Sequence, residues 1–541
     1  MAVSGLGLPD PAAPVADALA ADSMLLLADR GRAARAGFAL AGAAVADAVA
    51  LCRRLDGLPL AIELAAARLR SLSMPEILAR LESRMDVPAG PRAATLERHR
   101  TMRAAIDWSY DLLAPDERAM FRRLAVFCGR FDANAALAVW GDLEPGDDPF
   151  ASLCRLVDQS MVVADLSPDG PTTYRLLETM RQYAEARLAE AGESRAIRAR
   201  HASGCARLVA AAREWGGSRQ EGSLAILGAA HNDLLAALAW LLGDGGDADE
   251  ALALAANLWW YWYVRGHLTE GSVWLRRALA AASPLPSSVR ATALRGASAL
   301  ARSSGEYAEA IRIGEACLAM CRVLDDHQGI AASLNSLSAT ALAMGRVEEA
   351  VRRGAESLAA VRGTGNQRGV GASLTNLGTA LRNLDRFDES DAALREAADV
   401  FRALGDVRGE TSAIINRAIL ERRRGWLAAS LDGCLEALGK CIALGHVEGL
   451  VDCLDVVAAI EVARGRLESG LRLFEVVGAA RRRLALEVAT PDERRDRDAA
   501  IALARESRDG AAMTALEAEA GQVDLTAAAI AVLDGSFAAG A

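Results

Sequence analysis

Gly305-Glu-Tyr-Ala-Glu-Ala310 is a short stretch that recurs four more times along the second half of the chain. The copies are Gly345-Arg-Val-Glu-Glu-Ala350, Asp385-Arg-Phe-Asp-Glu-Ser390, Gly425-Trp-Leu-Ala-Ala-Ser430 and Gly465-Arg-Leu-Glu-Ser-Gly470, each 40 residues after the one before. A fixed period of this length is typical of repeat proteins, in which each unit buries its apolar face against its neighbours. The pattern therefore predicts an array of repeats.

A second marker keeps the same period and indicates how each repeat is built. Glycines stand at positions 329, 369, 409 and 449. In the third unit the apolar spacing predicts one helix over residues 372–384, a turn at Asp385-Arg386 and a second helix over residues 387–404. Gly405 and Gly445 follow second helices, where a positive φ is easy for glycine. The array is predicted to be a solenoid of helix pairs.

The repeated turn resembles that of tetratricopeptide repeats over roughly residues 250–480, with a longer unit than the usual one of about 34 residues. The resemblance implies a right-handed superhelix whose concave surface binds a protein or peptide. We expect Asn376, Asn416 and Arg417 to lie on that surface, because amides and guanidinium groups suit peptide backbone and carboxylates. An array that only spaces other domains is the alternative, and self-association stays open.

Composition favours a mainly α-helical protein of several domains. The chain has 541 residues, and 52% of them are apolar but only 4% aromatic, with abundant alanine. A net charge of −10 argues against a nucleic-acid scaffold. The sequence shows no zinc-ligand spacing, signal-peptide pattern or membrane-spanning run. We therefore expect no metal site and a cytoplasmic location.

A different pattern precedes the repeats. Arg100–Tyr110 reads as an amphipathic helix, and Pro115 stands at the first turn of another. Two stretches that carry apolar side chains, residues 161–165 and 173–176, flank the turn residues Ser167-Pro-Asp-Gly170, which predicts a β-hairpin. Helices followed by a hairpin predict a winged-helix domain.

The tetrapeptide Gly57-Leu58-Pro59-Leu60 begins an alanine-rich helix, and no phosphate-binding loop precedes it. Such a loop needs glycines around the phosphates, a lysine that reaches the β- and γ-phosphates and a hydroxyl that holds Mg²⁺. The chain has one lysine, Lys440, which lies on a helical stripe and is followed by Cys441 in place of Ser or Thr. We predict that Lys440 is a solvated helix residue. We expect no ATP hydrolysis and nominate no catalytic residue.

The order of these motifs resembles bacterial signal-transduction ATPases of the NB-ARC (STAND) type. The most similar members are the large LuxR-type and antibiotic-regulator-type transcriptional regulators of actinobacteria. The resemblance covers roughly residues 15–480 and is carried by Gly57–Leu60, Arg100–Tyr110, Tyr174–Tyr183 and the helical repeats.

The resemblance implies a nucleotide between a P-loop domain and the helical domain that begins at the tetrapeptide. Leu58 and Pro59, between Gly57 and Leu60, would line a vestigial adenine side of that ATP or ADP site. The chain lacks the family's phosphate loop, acidic Walker B strand and Mg²⁺ ligand, and residues 484–541 contain no basic recognition helix. No cofactor is therefore expected unless a P-loop domain is supplied elsewhere.

A winged helix also suggests DNA binding. Arg118, Arg122, Arg123 and Arg130 are the candidate phosphate contacts. Acidic residues between positions 111 and 132 neutralise the same region, and in the resembling proteins this domain packs on protein. DNA contact by this chain alone is not expected.

The sequence thus predicts a predominantly all-α chain. Its predicted parts are a flexible N terminus (1–14), a helical domain with the tetrapeptide (15–97), a winged-helix domain with a small β-hairpin (98–192), a helical linker (193–250), tetratricopeptide-like repeats (251–483) and a helical tail (484–541). The predicted function is a non-catalytic regulatory or scaffold protein of signal transduction or transcriptional regulation, which binds a protein or peptide through its repeats. The alternatives are a STAND ATPase-type regulator whose P-loop domain is missing from this chain, and a winged-helix DNA binder.

Overall fold

The computed structural model describes residues 6–10, 14–55, 57–85, 94–141, 148–166, 171–212, 220–243, 246–484, 491–505 and 523–539. The chain divides into two units, Met1–Ala211 with Ala225–Gly246 and Ala212–Leu224 with Asp247–Ala541. In the described residues, helices dominate and the one sheet has two strands. The predicted, predominantly all-α fold class is confirmed.

The first unit is a run of helices with one hairpin. Its elements are α1 (Val15–Leu19), α2 (Asp22–Ala34), α3 (Ala43–Arg54), α4 (Pro59–Ala67), α5 (Met74–Met85), α6 (Ala94–Asp111), α7 (Pro115–Arg123), α8 (Ala133–Trp140), α9 (Pro149–Asp158), β1 (Val163–Asp165), β2 (Thr173–Arg175), α10 (Glu178–Glu190), α11 (Ser194–Ala211) and α13 (His231–Leu241). Helix α12 (Gln220–Ala229) spans the boundary between the units. Short 3₁₀ turns follow α4 at Arg68–Arg70 and α7 at Leu124–Val126.

Helix α4 joins two hydrophobic cores because it is apolar on nearly all sides. Ala61 and Ile62 face the core of the N-terminal helices, whereas Leu60 and Leu64 belong to the core of the following domain. Helix α6 behaves in the same way and runs through positions 97 and 98, where the sequence suggested a domain boundary.

The winged helix forms as predicted. Strands β1 and β2 pair antiparallel, with Ala164 opposite Tyr174. Tyr174 also exchanges two backbone hydrogen bonds with Phe131, of 2.7 and 2.9 Å, which attach the hairpin to the segment before α8. The predicted turn at Ser167–Gly170 lies outside the described residues.

The second unit consists of paired helices. They are α14 (Ala248–Arg265), α15 (Leu268–Ala281), α16 (Ser288–Ser303), α17 (Tyr307–Val323), α18 (His327–Ala343), α19 (Val347–Arg362), α20 (Gln367–Asn383), α21 (Phe387–Ala403), α22 (Val407–Arg423), α23 (Leu427–Leu444), α24 (Val447–Ala463), α25 (Leu467–Leu484), α26 (Pro491–Arg505), α27 (Leu525–Leu533) and α28 (Ser536–Ala539). We call α16, α18, α20, α22 and α24 the A helices, and α17, α19, α21, α23 and α25 the B helices.

The turn between the A and B helices of one repeat requires a positive φ. Gly305, Gly345 and Gly425 adopt values of 74–78° there. Asp385 occupies the same place in the third copy at φ 57°, since aspartate tolerates this region better than most residues. The first marker is thus explained by backbone conformation.

The second marker is explained by close packing at the start of each A helix. A Cβ at Gly369 would lie 2.8 Å from Val361, and one at Gly409 would lie 2.4 Å from Phe401. The same glycines donate their backbone N–H to the capping side chains of Asn366 and Asp406. Glycine is needed there because the preceding B helix passes too close for a larger residue.

A buried serine ties the A helix to the B helix in each of four repeats. Ser298 and Ser338 on A helices donate to the carbonyls of Ala310 and Ala350 on B helices. In the next two repeats the serine lies on the B helix instead. Ser390 donates to the carbonyl of Gly378, and Ser430 donates to that of Ala418. The hydroxyl therefore satisfies the same kind of buried carbonyl from either side.

Candidate functional site

The inner layer of the array is made by the A helices. Helices α18, α20, α22 and α24 contact one another in succession, while each B helix packs mainly on the A helices of its own and the next repeat. The surface of this inner layer is the candidate partner-binding site, because its side chains come from several repeats at once.

Asn376 and Asn416, the two predicted amides, lie half-buried on α20 and α22. The Asn376 side-chain nitrogen donates to the Asn335 side-chain oxygen across 2.9 Å. The Asn416 oxygen accepts from the Thr379 hydroxyl at 3.0 Å and from Arg382 at 3.2 Å. These amides therefore connect neighbouring A helices through polar contacts.

Arg417 is held within the array. Its guanidinium donates to Glu421 at 2.8 and 3.0 Å and lies 3.5 Å from Asp391 of α21. The structure thus does not bring it together with Asn376 and Asn416, because it is directed toward a B helix.

Two arginines that the sequence reasoning missed dominate the inner layer. Arg382 on α20 is only 1% exposed, and Arg422 on α22 has a side chain 19% exposed. The 40-residue period places them at equivalent positions, and Leu342 and Val462 stand there in the flanking repeats. An arginine in place of an apolar residue in two adjacent copies is the signal that could have revealed the site.

Both arginines pair with carboxylates of helix α26. Arg382 Nη2 pairs with Glu493, and Arg422 Nη2 lies 3.0 Å from Asp496. Arg382 Nη1 also donates to the backbone and side-chain oxygens of Asn416, at 3.2 Å each. A helix from beyond the repeats is therefore seated against the inner layer.

The charge balance at Arg382 depends on that helix. Burial lowers the pKa of Arg382, and the Glu493 carboxylate opposes this effect. Its Nε is buried without a hydrogen-bond partner among the described residues. A buried guanidinium is unfavourable unless a carboxylate compensates it, so Glu493 supplies what α20 and α22 alone do not.

We predicted a solvated residue at Lys440, but the side chain is only partly exposed and is paired with two carboxylates. Its side chain is 25% exposed, and Nζ lies 2.8 Å from Glu410 and 3.0 Å from Glu436. It lies within α23, a B helix, as the helical stripe indicated.

The tetrapeptide forms a tight turn into α4. Gly57 has φ 63°, and its carbonyl accepts a hydrogen bond from Leu6 N–H at 2.9 Å. Pro59, the first residue of α4, is exposed, Leu58 is half-buried, and Leu60 is buried in the winged-helix core. The predicted adenine side thus has one exposed residue and is covered at Gly57 by the N-terminal segment.

The arginines proposed as phosphate contacts are engaged within the winged-helix domain. Arg122 and Arg123 both pair with Glu193, at 2.6 and 3.0 Å. Arg118 donates to the carbonyl of Asp111, and Arg130 lies 3.0 Å from Asp165. Three of these four cations are therefore paired with carboxylates, whereas Arg118 is hydrogen-bonded to a neutral carbonyl.

Helix α9 is at the position of the recognition helix of a winged helix-turn-helix, and its polar side chains already contact other residues of the domain. Arg155 on α9 pairs with Asp116 at 2.5 Å and with Glu117 at 2.7 Å. At the end of α9, Gln159 accepts from buried Arg68 at 2.8 Å, and Asp158 lies 3.2 Å from Arg70. Burial lowers the pKa of Arg68 to about 10. The 3₁₀ turn after α4 thus holds the end of the helix that a DNA reader would place in the major groove.

Cys205, His201 and Asp233 form a cluster that resembles a catalytic triad in composition only. Cys205 Sγ lies 3.8 Å from His201 Nε2, and that same nitrogen lies 3.4 Å from Asp233. Burial, and then Asp233, raise the pKa of Cys205 to about 12, the opposite of what a nucleophile requires. Asp233 also accepts the backbone N–H of Cys128 at 2.7 Å, which is a structural role.

Cys441 and His446 are a second such pair, in the repeats. His446 stands where Asp326, Asn366 and Asp406 cap the other A helices, and its Nδ1 lies 3.9 Å from Cys441 Sγ. Hydrogen bonding with Cys453 and with His446 lowers the pKa of Cys441 to about 6. Because Cys441 is completely buried, a substrate cannot reach its sulfur in this conformation.

Comparison with known proteins matches two parts of the chain. A tetratricopeptide repeat family matches residues 268–363, and a winged helix-turn-helix family matches residues 113–189. These matches confirm the tetratricopeptide and winged-helix parts of the predicted resemblance.

Similar proteins come from mycobacteria. A putative HTH-type transcriptional regulator of Mycobacterium tuberculosis (strain ATCC 25618 / H37Rv) is 41% identical over 263 residues, which are 48% of this chain and 29% of that protein. An uncharacterized protein of the same strain is 42% identical over 182 residues, 33% of this chain and 46% of that one. The chain thus spans less than half the length of either relative.

Among solved structures, the chain matches a Signal Transduction ATPase with Numerous Domains (STAND) protein with a tetratricopeptide repeat sensor, from Pyrococcus horikoshii. It is 12% identical, with a TM-score of 0.46, and the match covers 94% of this chain and 74% of that one.

In the described residues no single helix is both long and apolar enough to cross a membrane. One bent pair, Gly222–Ala229 with His231–Leu241, reaches the required length and composition only when its two helices are taken together.

Proposed function

We propose that this chain is a non-catalytic regulatory module that binds a protein or peptide partner on the inner layer of its repeats. The observation that carries the proposal is the seating of α26 against Arg382 and Arg422, because a surface that holds one helix is suited to hold another. The winged-helix match and the mycobacterial relative support a role in transcriptional regulation.

Site-specific photo-crosslinking in the native host tests this proposal. Ser412 is exposed on α22, one turn before Asn416 on the same helix face, and Arg395 is exposed on the B helix α21. With benzoylphenylalanine at position 412 we expect a discrete crosslinked species, and with the same group at position 395 we expect none. Equal crosslinking at both positions, or crosslinking at 395 alone, would contradict the inner-layer proposal.

A second candidate is a STAND (NB-ARC) ATPase-type regulator of the LuxR kind whose P-loop domain is supplied elsewhere. The exposed Pro59 at the start of α4 favours it, since a nucleotide base could still reach this residue. Calorimetry with ATP and with ADP on the purified chain tests whether the Pro59 side binds a nucleotide without a P-loop domain. No heat of binding and no phosphate release are expected for the module, whereas micromolar binding would favour the ATPase-type reading.

We further propose that the winged helix packs on protein rather than DNA. The ion pairs of Arg122, Arg123 and Arg155 support this, because each would have to be exchanged for a phosphate contact. A gel shift at low salt is the test, since phosphate-driven binding is strongest there. Retarded DNA that is released by added salt would contradict the proposal.

A further inference from the structure

Helix α26 bridges several repeats through side-chain contacts. Glu493 reaches Arg382 on α20 and Asp496 reaches Arg422 on α22. One turn after Glu493, Arg497 donates to Asp455 on α24 at 2.9 Å. At the end of the helix, Arg505 donates to Glu475 on α25 at 2.8 Å. Charged side chains of α26 therefore contact three successive A helices and the last B helix.

Two carboxylates of α26 pair with arginines of two neighbouring repeats. Glu493 and Asp496 are three residues apart, so they share one helix face. Arg382 and Arg422 stand at equivalent positions of neighbouring repeats, so they line up across the inner layer. An acidic pair at i and i+3 is thus the pattern that this part of the array selects.

The contacts that hold α26 are mostly polar. Its sequence, PDERRDRDAAIALAR, is charged along its first half, and among its described side chains only Ala500 and Ile501 pack against the hydrophobic core of the last repeats. Leu503, near its end, is 52% exposed. A helix held mainly by ion pairs can be exchanged for another that offers the same charges, because little apolar area is lost when it leaves.

We propose that the inner layer of α20 and α22 is a docking groove for an acidic helical segment of a partner protein, and that α26 is the chain's own occupant, which the partner replaces. The proposal rests on the proposed function, since it names the kind of partner for the same surface. The partner's helix carries carboxylates at i and i+3, which pair with Arg382 and Arg422.

The next part of the groove adds specificity. Asp455 accepts from Arg497, so the partner's helix carries a basic residue at i+4. Ile501 packs on the core of the last repeats, so an apolar residue follows at i+8. A nucleic acid satisfies only the two arginines of this pattern, and for this reason the geometry favours a protein helix.

Binding of a labelled peptide to the full chain tests the proposal. The probe is a synthetic peptide of residues 491–505, measured by fluorescence anisotropy. In the chain variant Glu493→Gln/Asp496→Asn the internal helix competes less, so we expect the peptide to bind at least tenfold more tightly than to the wild type. Adding Arg422→Met to that variant should weaken peptide binding about tenfold.

Controls separate this effect from a general change of charge. Asp399→Asn removes an exposed carboxylate that pairs with Arg402 on α21 and should leave peptide binding unchanged. A peptide with glutamine and asparagine at its two acidic positions should bind at least tenfold more weakly. Circular dichroism checks the fold of each variant, and Asp496→Asn alone is the milder variant because Arg422 is less buried than Arg382.

Two results would overturn the proposal. One is a chain with a weakened internal helix that binds the peptide no more tightly than the wild type does. The other is equal binding of the neutralised peptide or of a duplex DNA oligonucleotide. Crosslinking at position 412 without peptide binding would leave the proposed function standing and remove the acidic-helix inference. Peptide binding without crosslinking at 412 would contradict the proposed function and, with it, the partner proposed here, and would leave α26 as the occupant of the groove.

Discussion

Replacing Glu193 by glutamine should remove the ion pairs that hold two arginines of the winged-helix domain. The carboxylate accepts from Arg122 at 2.6 and 3.2 Å and from Arg123 at 3.0 Å. Burial would raise the pKa of Glu193, but the hydrogen bonds from both arginines outweigh it and lower the pKa to about 2. The variant leaves two guanidinium groups beside each other without their shared anion.

The size of the effect follows from that pKa. A change from 4.5 to about 2 corresponds to about 3 kcal/mol at neutral pH, and solvent screening of this partly exposed group reduces it to about 2 kcal/mol. Because the folded-state pKa is the lower one, this stabilisation is present above about pH 4.5 and is lost as the pH falls through about 2. At pH 3 less than half of it should remain.

Hydrogen exchange measured by mass spectrometry reads this stability locally. In peptides from α7 and α11, Glu193→Gln should exchange about 30-fold faster than the wild type at pH 7. The difference between the two proteins should shrink when both are measured at pH 3. The control is Glu190→Gln, whose side chain is 57% exposed beside Arg187 and should matter little. Equal protection at pH 7, or the same difference at both pH values, would refute the reasoning.

Three further outcomes are expected. Asn366→Ala removes a capping oxygen 3.0 Å from the N–H of Gly369 and should destabilise its repeat by about 1 kcal/mol, measured by hydrogen exchange, whereas the adjacent Gln367→Ala should have no such effect. Gly296→Ala places a Cβ 2.5 Å from Trp259 and should lower the free energy of unfolding by about 1–3 kcal/mol in urea, while Gly439→Ala, which meets nothing within 4 Å, should leave it unchanged or raise it. The purified chain should not retard duplex DNA at low salt, and retardation would show that the paired arginines are available after all.

The repeat architecture was predictable because the same local sequence pattern recurs in each repeat. The second helix of the third unit was expected at residues 387–404 and runs over Phe387–Ala403. Its first helix was expected at residues 372–384 but begins at Gln367. The five missed residues include Gly369 and Gly371, which weaken a helix on propensity alone. Here Val361 lies too close to Gly369, and Phe401 too close to Gly371, for a larger residue to fit, and these contacts arise only from the packing of neighbouring helices.

The candidate site was only partly predictable. Asn376 and Asn416 could be placed on A helices because the period fixes their position. The pairing of Arg382 with Glu493 joins residues 111 apart in sequence, and no local pattern reports such a contact. Arg382 and Arg422 stand where the flanking repeats have Leu342 and Val462, and this difference marks the candidate site. It does not identify the helix that binds there.

A double-mutant cycle between Arg382 and Glu493 tests most directly whether the inner layer recognises a carboxylate. Arg382→Met, Glu493→Gln and the combined variant are compared by the hydrogen-exchange protection of α26 and α20. A buried ion pair predicts a coupling free energy of about 2 kcal/mol or more, so the combined variant should lose little beyond either single one. Losses that simply add would mean that the two side chains do not depend on each other, and that α26 is held there by something other than charge.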